Sequence, residues 1–226
     1  MTPKNVKLIS HPLVSMFITQ LRDVTVNNNP VLFRAYSKEM SKLLIYEALR
    51  DLKTSSKKVK TQTGLIFNGA TAKEKVVFIS ILRAAMGMLT TAMELYPSGE
   101  FHVVGIKRNE NDPKTNAPTF YLDRLHEIAK DAGRIIVMDP MLATGGTMLT
   151  VLDTLRKKYK FKKKIQIISY LAALPGEKLI HKNHPDVEIY CAGLDQKLND
   201  KAYIIPGLGD AGDLYFGRNT DLSAIR

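Results

Sequence analysis

The sequence has a single cysteine, Cys191, among its 226 residues, so no disulfide can close within the chain. It sits in the apolar run VEIYC, where a thiol reads as a small buried hydrophobe, and a reducing, cytoplasmic setting is expected. No apolar stretch approaches the roughly 18 residues that a membrane-spanning helix needs. The N-terminal LVSMFI lies among Pro12, serine, threonine and glutamine, with no signal-peptide core or cleavage site. A soluble protein is expected. Internal repeats, low-complexity tracts and Pro/Gly/Ser-rich linkers are also missing, which argues for one domain over residues 1–226.

Several chemistries lack their residues. Neither Ser80 nor Ser169 has a GxSxG context, so a serine nucleophile is not indicated. His102 lies in an apolar run, and His126, His181 and His184 lie in charged contexts, without metal-ligand spacing. The loop ATGGT at 143–147 lacks the GxxxxGK[ST] lysine of a Walker loop and does not match GxGxxG.

What the chain has in excess is positive charge. Thirty-three basic residues against 22 acidic ones give a formal charge of +11. Much of it lies in KTSSKKVK at 53–60 and KKYKFKKK at 157–164. Such a balance favours an anionic partner, either nucleic acid or a phosphorylated small molecule. Each cluster also reads as a solvated surface, and charge alone does not choose.

The N-terminal third reads as helical. Pro30 opens a segment in which Phe33, Tyr36, Met40, Leu43, Leu44, Ala48 and Leu52 fall at helical spacing. Beyond it, short apolar runs recur: VVFISIL at 76–82, FHVVGI at 101–106, RIIVM at 134–138, IQIISYL at 165–171 and VEIYC at 187–191. Helix-like segments such as AAMGMLTTAMELY, GTMLTVLDTLRKKY and GEKLIHKN lie between them. Runs without polar alternation predict strands covered on both faces, and so an open, mainly parallel α/β sheet flanked by helices. In such sheets ligands bind beyond the carboxyl ends of the strands.

VMDPMLATGGTM at 137–148 meets that rule. Asp139 ends a strand and Pro140 helps to stop it. Ala143, Gly145 and Gly146 leave the backbone amides open, Thr144 and Thr147 add hydroxyls, and a helix is expected to start at once. Free amides at a helix N-terminus make an anion site. A carboxylate beside it accepts hydrogen bonds from vicinal hydroxyls, so the stretch suits a sugar phosphate.

Two other strand ends carry cations. Arg83 follows one run in ILRAAMGM and Arg108 follows the next in GIKRNEND; two guanidiniums would clamp a second, more highly charged anion such as a pyrophosphate. PGLGDAGD at 206–213 is too rich in glycine for regular structure. It reads either as a turn or as a loop that pairs its backbone with a planar ligand edge, with Asp210 facing a hydrated metal ion.

Together these motifs resemble uracil phosphoribosyltransferases. DPMLATGGT is similar to that family's phosphoribosyl-pyrophosphate loop. HPLV, LLIYEAL, ILRAAMGM, GIKRNE, HPDVEIYCAGLDQKLN and YIIPGLGDAGD follow in the family's order, from about His11 to Gly217. The resemblance implies the type I phosphoribosyltransferase fold, with a helical N-terminal segment and a hood, for which NDPKTNAPTFYLD at 111–123 is the candidate. It implies transfer of a phosphoribosyl group to uracil in pyrimidine salvage, giving UMP and pyrophosphate.

By position, Asp139, Pro140, Met141, Leu142, Ala143, Thr144, Gly145, Gly146 and Thr147 would hold the ribose hydroxyls and the 5-phosphate. Arg83 and Arg108 would meet the pyrophosphate, and Ile204, Gly209, Asp210 and Ala211 would hold uracil. Asp210 would also reach the pyrophosphate side, where Mg2+ is carried by substrate and water and not by direct protein ligands. Arg83, Asp139 and Asp210 are the expected catalytic residues.

The resemblance further implies a homodimer or homotetramer and leaves open regulation by GTP or CTP. Ala85 departs from the family pattern, which usually has glycine there. Two alternatives differ in class or substrate. One is a phosphoribosyltransferase for another nucleobase. The other is a fold-sharing, RNA-binding pyrimidine regulator, which typically has paired acids in the loop where this chain has Asp139 followed by Pro140.

Overall fold

The computed structural model describes residues 2–107 and 118–217; Arg108, residues 111–117 of the expected hood and the tail from 218 lie outside them. The N-terminal part holds a short strand β1 (Val6–Leu8) and three helices, α1 (Pro12–Arg22), α2 (Val24–Asn27) and α3 (Pro30–Ala48). Pro30 does open α3: its missing N–H is no loss in a first turn, and the Asn29 side chain accepts from the amides of Val31 and Leu32.

The helical reading of the N-terminal third fails beyond Lys53. There β2 (Thr54–Lys60) and β3 (Ile66–Ala72) form an antiparallel hairpin of their own, exposed along nearly its whole length. KTSSKKVK has no apolar face to give a strand signal. The hairpin is held by its own ladder and by a turn in which Gly64 takes φ +83°.

Each apolar run expected to be a strand is one. The strands are β4 (Lys75–Leu82), β5 (Glu100–Lys107), β6 (Thr119–Asp123), β7 (Ala132–Met138), β8 (Met141–Leu142), β9 (Lys164–Ala173) and β10 (Glu188–Asp195). Helices α4 (Met86–Leu95), α5 (Gly146–Asp153) and α6 (Leu174–Asn183) alternate with them. The sheet runs β1-β10-β9-β7-β4-β5-β6, with β8 paired to β9; its pairs are parallel except for antiparallel β6 on β5. After it come β11 (Lys197–Leu198), β12 (Ile204–Ile205) and α7 (Ala211–Phe216).

Burial explains the unbroken hydrophobicity of the central strands. Phe78, Ile136, Met138 and Ile168 point to one face, against Phe33, Met40 and Leu44 of α3 and Met88 of α4. Val77, Ile79, Ile135, Val137 and Ile167 point to the other, against Val151 and Leu152 of α5 and Ile180 of α6. The period of two sorts alternate residues between two cores, so both sets must be apolar. Cys191 lies fully buried in the second, where burial pushes its thiol up to about 12.

Strands β7, β4 and β5 are neighbours and parallel, which brings their carboxyl ends, Met138, Leu82 and Lys107, to one edge of the sheet. The basic cluster 157–164 leads into β9 and so lies at the opposite edge. There Lys157 pairs with Asp153, Lys158 with Asp123, and Lys164 with Asp51 and Glu188.

Candidate active site

Asp139 follows β7 directly, and its backbone is pinned on both sides. Its N–H donates to the Ile168 carbonyl at 3.1 Å, and its carbonyl accepts from the Ser169 hydroxyl at 2.6 Å. The Pro140 carbonyl accepts from the amides of Tyr170 and Leu171, and Met141–Leu142 then pair with β9. The glycine-rich loop is thus stitched to the sheet up to Leu142.

The Asp139 carboxylate has one weak contact, the Met141 N–H at 3.4 Å. Burial raises its pKa to about 7, and that single amide offsets little of the effect. A desolvated carboxyl with free acceptor sites is set to receive hydroxyl donors.

Past Leu142 the chain turns into α5. Gly145 takes φ +84° at the N-cap and no side chain caps the helix. The Thr144 hydroxyl reaches only the Gly146 amide, at 3.5 Å. The first amides of α5 therefore keep their donors beside a recess of about 50 Å³, lined by Asp139, Leu142, Ala143, Thr144, Gly145 and Thr147 among others.

The recess depends on a contact absent from the sequence motif. A Cβ on Gly176 of α6 would sit 2.5 Å from the Ala143 carbonyl oxygen and 3.1 Å from that of Leu142. Only glycine lets α6 approach the loop so closely. Pro118, just before β6, lies on the other side of the loop, its Cγ 3.7 Å from where a Gly146 Cβ would be.

Arg83 lies just past β4, exposed, with its guanidinium 5.7 Å from the Phe216 ring centroid. The Leu82–Arg83 peptide is cis. Ala85 adopts φ −85° and is fully buried, so the turn into α4 requires no glycine there. Arg108 lies outside the described residues, and its expected place beside the anion is not assigned from the fold.

The 206–213 stretch resolves as a loop and a cap. β12 pairs with β11, the Ile205–Pro206 peptide is cis, and Gly207 and Gly209 take φ +60° and +91°. Asp210 is the N-cap of α7, where its carboxylate accepts from the Asp213 amide at 2.9 Å. Helix α7 is docked by Arg34, which donates to the Tyr215 carbonyl, and by Gly87, whose missing side chain leaves room for the Tyr215 ring.

The loops meet at a cavity of about 200 Å³. Met141 and Ala143 line one side, Ile204, Gly209, Asp210 and Ala211 another, and Ala84 of the Arg83 turn a third. Three segments distant in sequence converge on one space. Tyr203, Ala202, Ala84 and Gly212 also line it and were not singled out from the sequence. Tyr203 stands three residues ahead of the glycine-rich turn, and nothing in that spacing marks it as a cavity wall. Ser80 and Ser169 do structural work, donating to the carbonyls of Ala85 and Asp139. His102 and His184 pair with Glu100 and Asp153.

A family model described as uracil phosphoribosyltransferase matches residues 8–218. The uracil phosphoribosyltransferase of Campylobacter concisus (strain 13826) is 44% identical over 216 residues, covering 94% of this chain and 98% of that protein. The Mycoplasma mobile enzyme of the same description is 39% identical over 212 residues, covering 94% and 99%. Among solved structures, the AQ2163 protein from Aquifex aeolicus has a TM-score of 0.83 at 34% identity, over 96% of this chain and 99% of that one. An adenine phosphoribosyl transferase from Trypanosoma brucei, solved with AMP, pyrophosphate and ribose-5-phosphate, has a TM-score of 0.56 at 14% identity, over 89% and 88%, a likeness of fold alone.

Proposed function

The chain belongs to the uracil phosphoribosyltransferase family, and from that premise we propose how its residues divide the work of transferring a phosphoribosyl group from 5-phosphoribosyl 1-pyrophosphate to uracil, which yields UMP and pyrophosphate. The observation that carries the assignment is the convergence of the Asp139 loop, the Arg83 turn and the Ile204–Ala211 segment on one cavity.

The 5-phosphate is bound by the first amides of α5 with the Thr144 and Thr147 hydroxyls. Asp139 accepts from the ribose hydroxyls. As the bond at the sugar C1 breaks, positive charge builds on the ribose and negative charge on the departing pyrophosphate. Arg83 and Arg108 stabilise the leaving group, and their help grows as that charge develops. Uracil lies against the backbone of Ile204, Gly209, Asp210 and Ala211, which aligns its ring nitrogen for attack.

Among the described residues no group of three His, Cys, Asp or Glu side chains could hold a metal. The one carboxylate of the uracil loop, Asp210, is exposed and already caps α7. That donor set fits Mg2+ carried on the substrate's phosphate oxygens and met by Asp210 through water. When bound, the ion neutralises charge on the pyrophosphate.

A homo-oligomer belongs to the same reading, supported by the exposed Leu65, Ile66 and Phe67 of the β2–β3 hairpin. A cytoplasmic site of action is supported by a chain whose single cysteine, Cys191, is buried and can close no internal disulfide. Regulation by GTP or CTP is tested by adding each nucleotide to the assay.

The deciding experiment is UMP formation from labelled uracil, with cytosine, hypoxanthine and orotate as competing acceptors, repeated with Arg83→Ala and Asp139→Asn. Uracil is the expected acceptor, and both variants should lose turnover while staying folded. Product from a purine but not from uracil, or full activity in both variants, would overturn the assignment. Tight, sequence-selective RNA binding without turnover would favour the regulator.

A further inference from the structure

The uracil loop is held from beneath by Arg22, Asn27 and Asp195, none of them assigned above to a substrate. Arg22, the last residue of α1, and Asp195, the last of β10, form a two-pronged ion pair: Nη1 to Oδ2 and Nη2 to Oδ1, each 2.8 Å. Asp195 is 8% exposed. The pair closes on a single peptide segment. Nη1 of Arg22 also donates to the Gly207 carbonyl at 2.9 Å, and the Gly207 amide donates to Oδ2 of Asp195 at 3.1 Å.

Both polar backbone groups of Gly207 are thereby fixed by one charged pair. Next to it, the buried Asn27 amide donates to the carbonyls of Leu21 and Leu208, at 3.1 and 3.2 Å. The packing is built for this. A Cβ on Gly193 would lie 2.9 Å from Nη2 of Arg22, and one on Gly207 would lie 2.1 Å from the Ile204 carbonyl oxygen.

Gly207 and Leu208 stand between Ile204 and Gly209, two of the positions assigned above to the base. We infer that Arg22 and Asp195, with Asn27, are positioning residues for uracil. They touch no substrate but set the orientation of the backbone groups that read the ring. The inference rests on the uracil-loop assignment of the preceding section. A flat polar ring read by backbone N–H and C=O groups requires those groups to be held still, since they have no rotamers with which to adapt. A bidentate guanidinium–carboxylate pair sets both direction and distance, which an ammonium cannot reproduce.

The test uses the full chain with Arg22→Lys and Asp195→Asn, measuring kcat and both KM values, with Gly209→Ala as a control in the loop itself. Losing one charge-assisted bond to the loop should lower kcat/KM for uracil by about tenfold to a hundredfold. KM for 5-phosphoribosyl 1-pyrophosphate should change less than about twofold, because the α5 cradle is pinned separately to β9. A merely structural role would depress both substrates together. Equal effects on both, or no effect on uracil, would overturn the inference.

Gly209→Ala separates the two failures. If it leaves the uracil KM unchanged, the loop assignment is wrong; if it raises that KM while the pair variants do not, the positioning role is wrong. Should Arg22→Lys fail to fold, Asn27→Ala removes one contact to Leu208 and must show the same uracil-selective loss.

Discussion

Replacing Gly176 by alanine tests how finely the phosphate cradle is placed. Alanine suits a helix better than glycine by about 1 kcal/mol, so propensity alone would make the variant more stable. The obstacle is a Cβ only 2.5 Å from the Ala143 carbonyl oxygen, where ordinary contact begins at 3.4 Å. The loop or α6 must therefore give way by about 0.9 Å. Loop residues up to Leu142 are hydrogen-bonded to β9, and α6 packs against the same strand, so neither side yields freely.

A displacement near 1 Å of a group that positions substrate costs on the order of a hundredfold in rate, about 2.7 kcal/mol of transition-state stabilisation. The expected result for Gly176→Ala is a fall of that order in kcat/KM for 5-phosphoribosyl 1-pyrophosphate, with the uracil KM little changed. Initial rates with each substrate varied in turn give both numbers, and a thermal melt confirms the fold. A variant with full kcat/KM for the sugar phosphate would refute the claim that this glycine sets the loop.

Because burial raises the Asp139 carboxyl to about 7, affinity for 5-phosphoribosyl 1-pyrophosphate should rise as pH passes upward through that value and the acceptor ionises. Asp139→Asn should remove that inflection, leaving only the titration of the substrate's own phosphate. For stability the sign is opposite. The folded carboxyl holds its proton to higher pH than the unfolded one, so its contribution falls as pH rises from the unfolded value of 3.8 towards 7, and the asparagine variant should lose this fall in pH-dependent melts. Gly87→Ala puts a Cβ 2.3 Å from the Tyr215 ring; displacing α7 should cost about 1–3 kcal/mol and raise the uracil KM, read by denaturant titration and kinetics. The Cys191 thiol, pushed up to about 12 by burial, should resist alkylation in the folded enzyme and react fully in denaturant, as a thiol count would show.

Some features were legible because they are local. A run such as RIIVM or IQIISYL is apolar at every position only if both faces are covered, and that property implies the parallel sheet. Likewise Asp139, the two glycines and the apolar stretch after them describe a strand end, an open turn and a helix start within a dozen residues. The hairpin at 54–72 was missed for the complementary reason: its strands are exposed, so no burial pattern marks them. Arg108 was read as a clamp by analogy with Arg83, and it lies outside the described residues.

By itself, the order of residues determined the alternation of strands and helices, the anion-seeking turn after Asp139 and the family to which the chain belongs. Each depends on neighbours within one element or on a contiguous motif. Only the tertiary structure decided that Gly176 lies against the cradle, that Tyr203 walls the cavity, and that Arg22 grips Asp195 across 173 positions. Those contacts arise where strand order and helix packing bring remote segments to the same edge of the sheet, and the periodicity of a single segment carries no record of what crosses it.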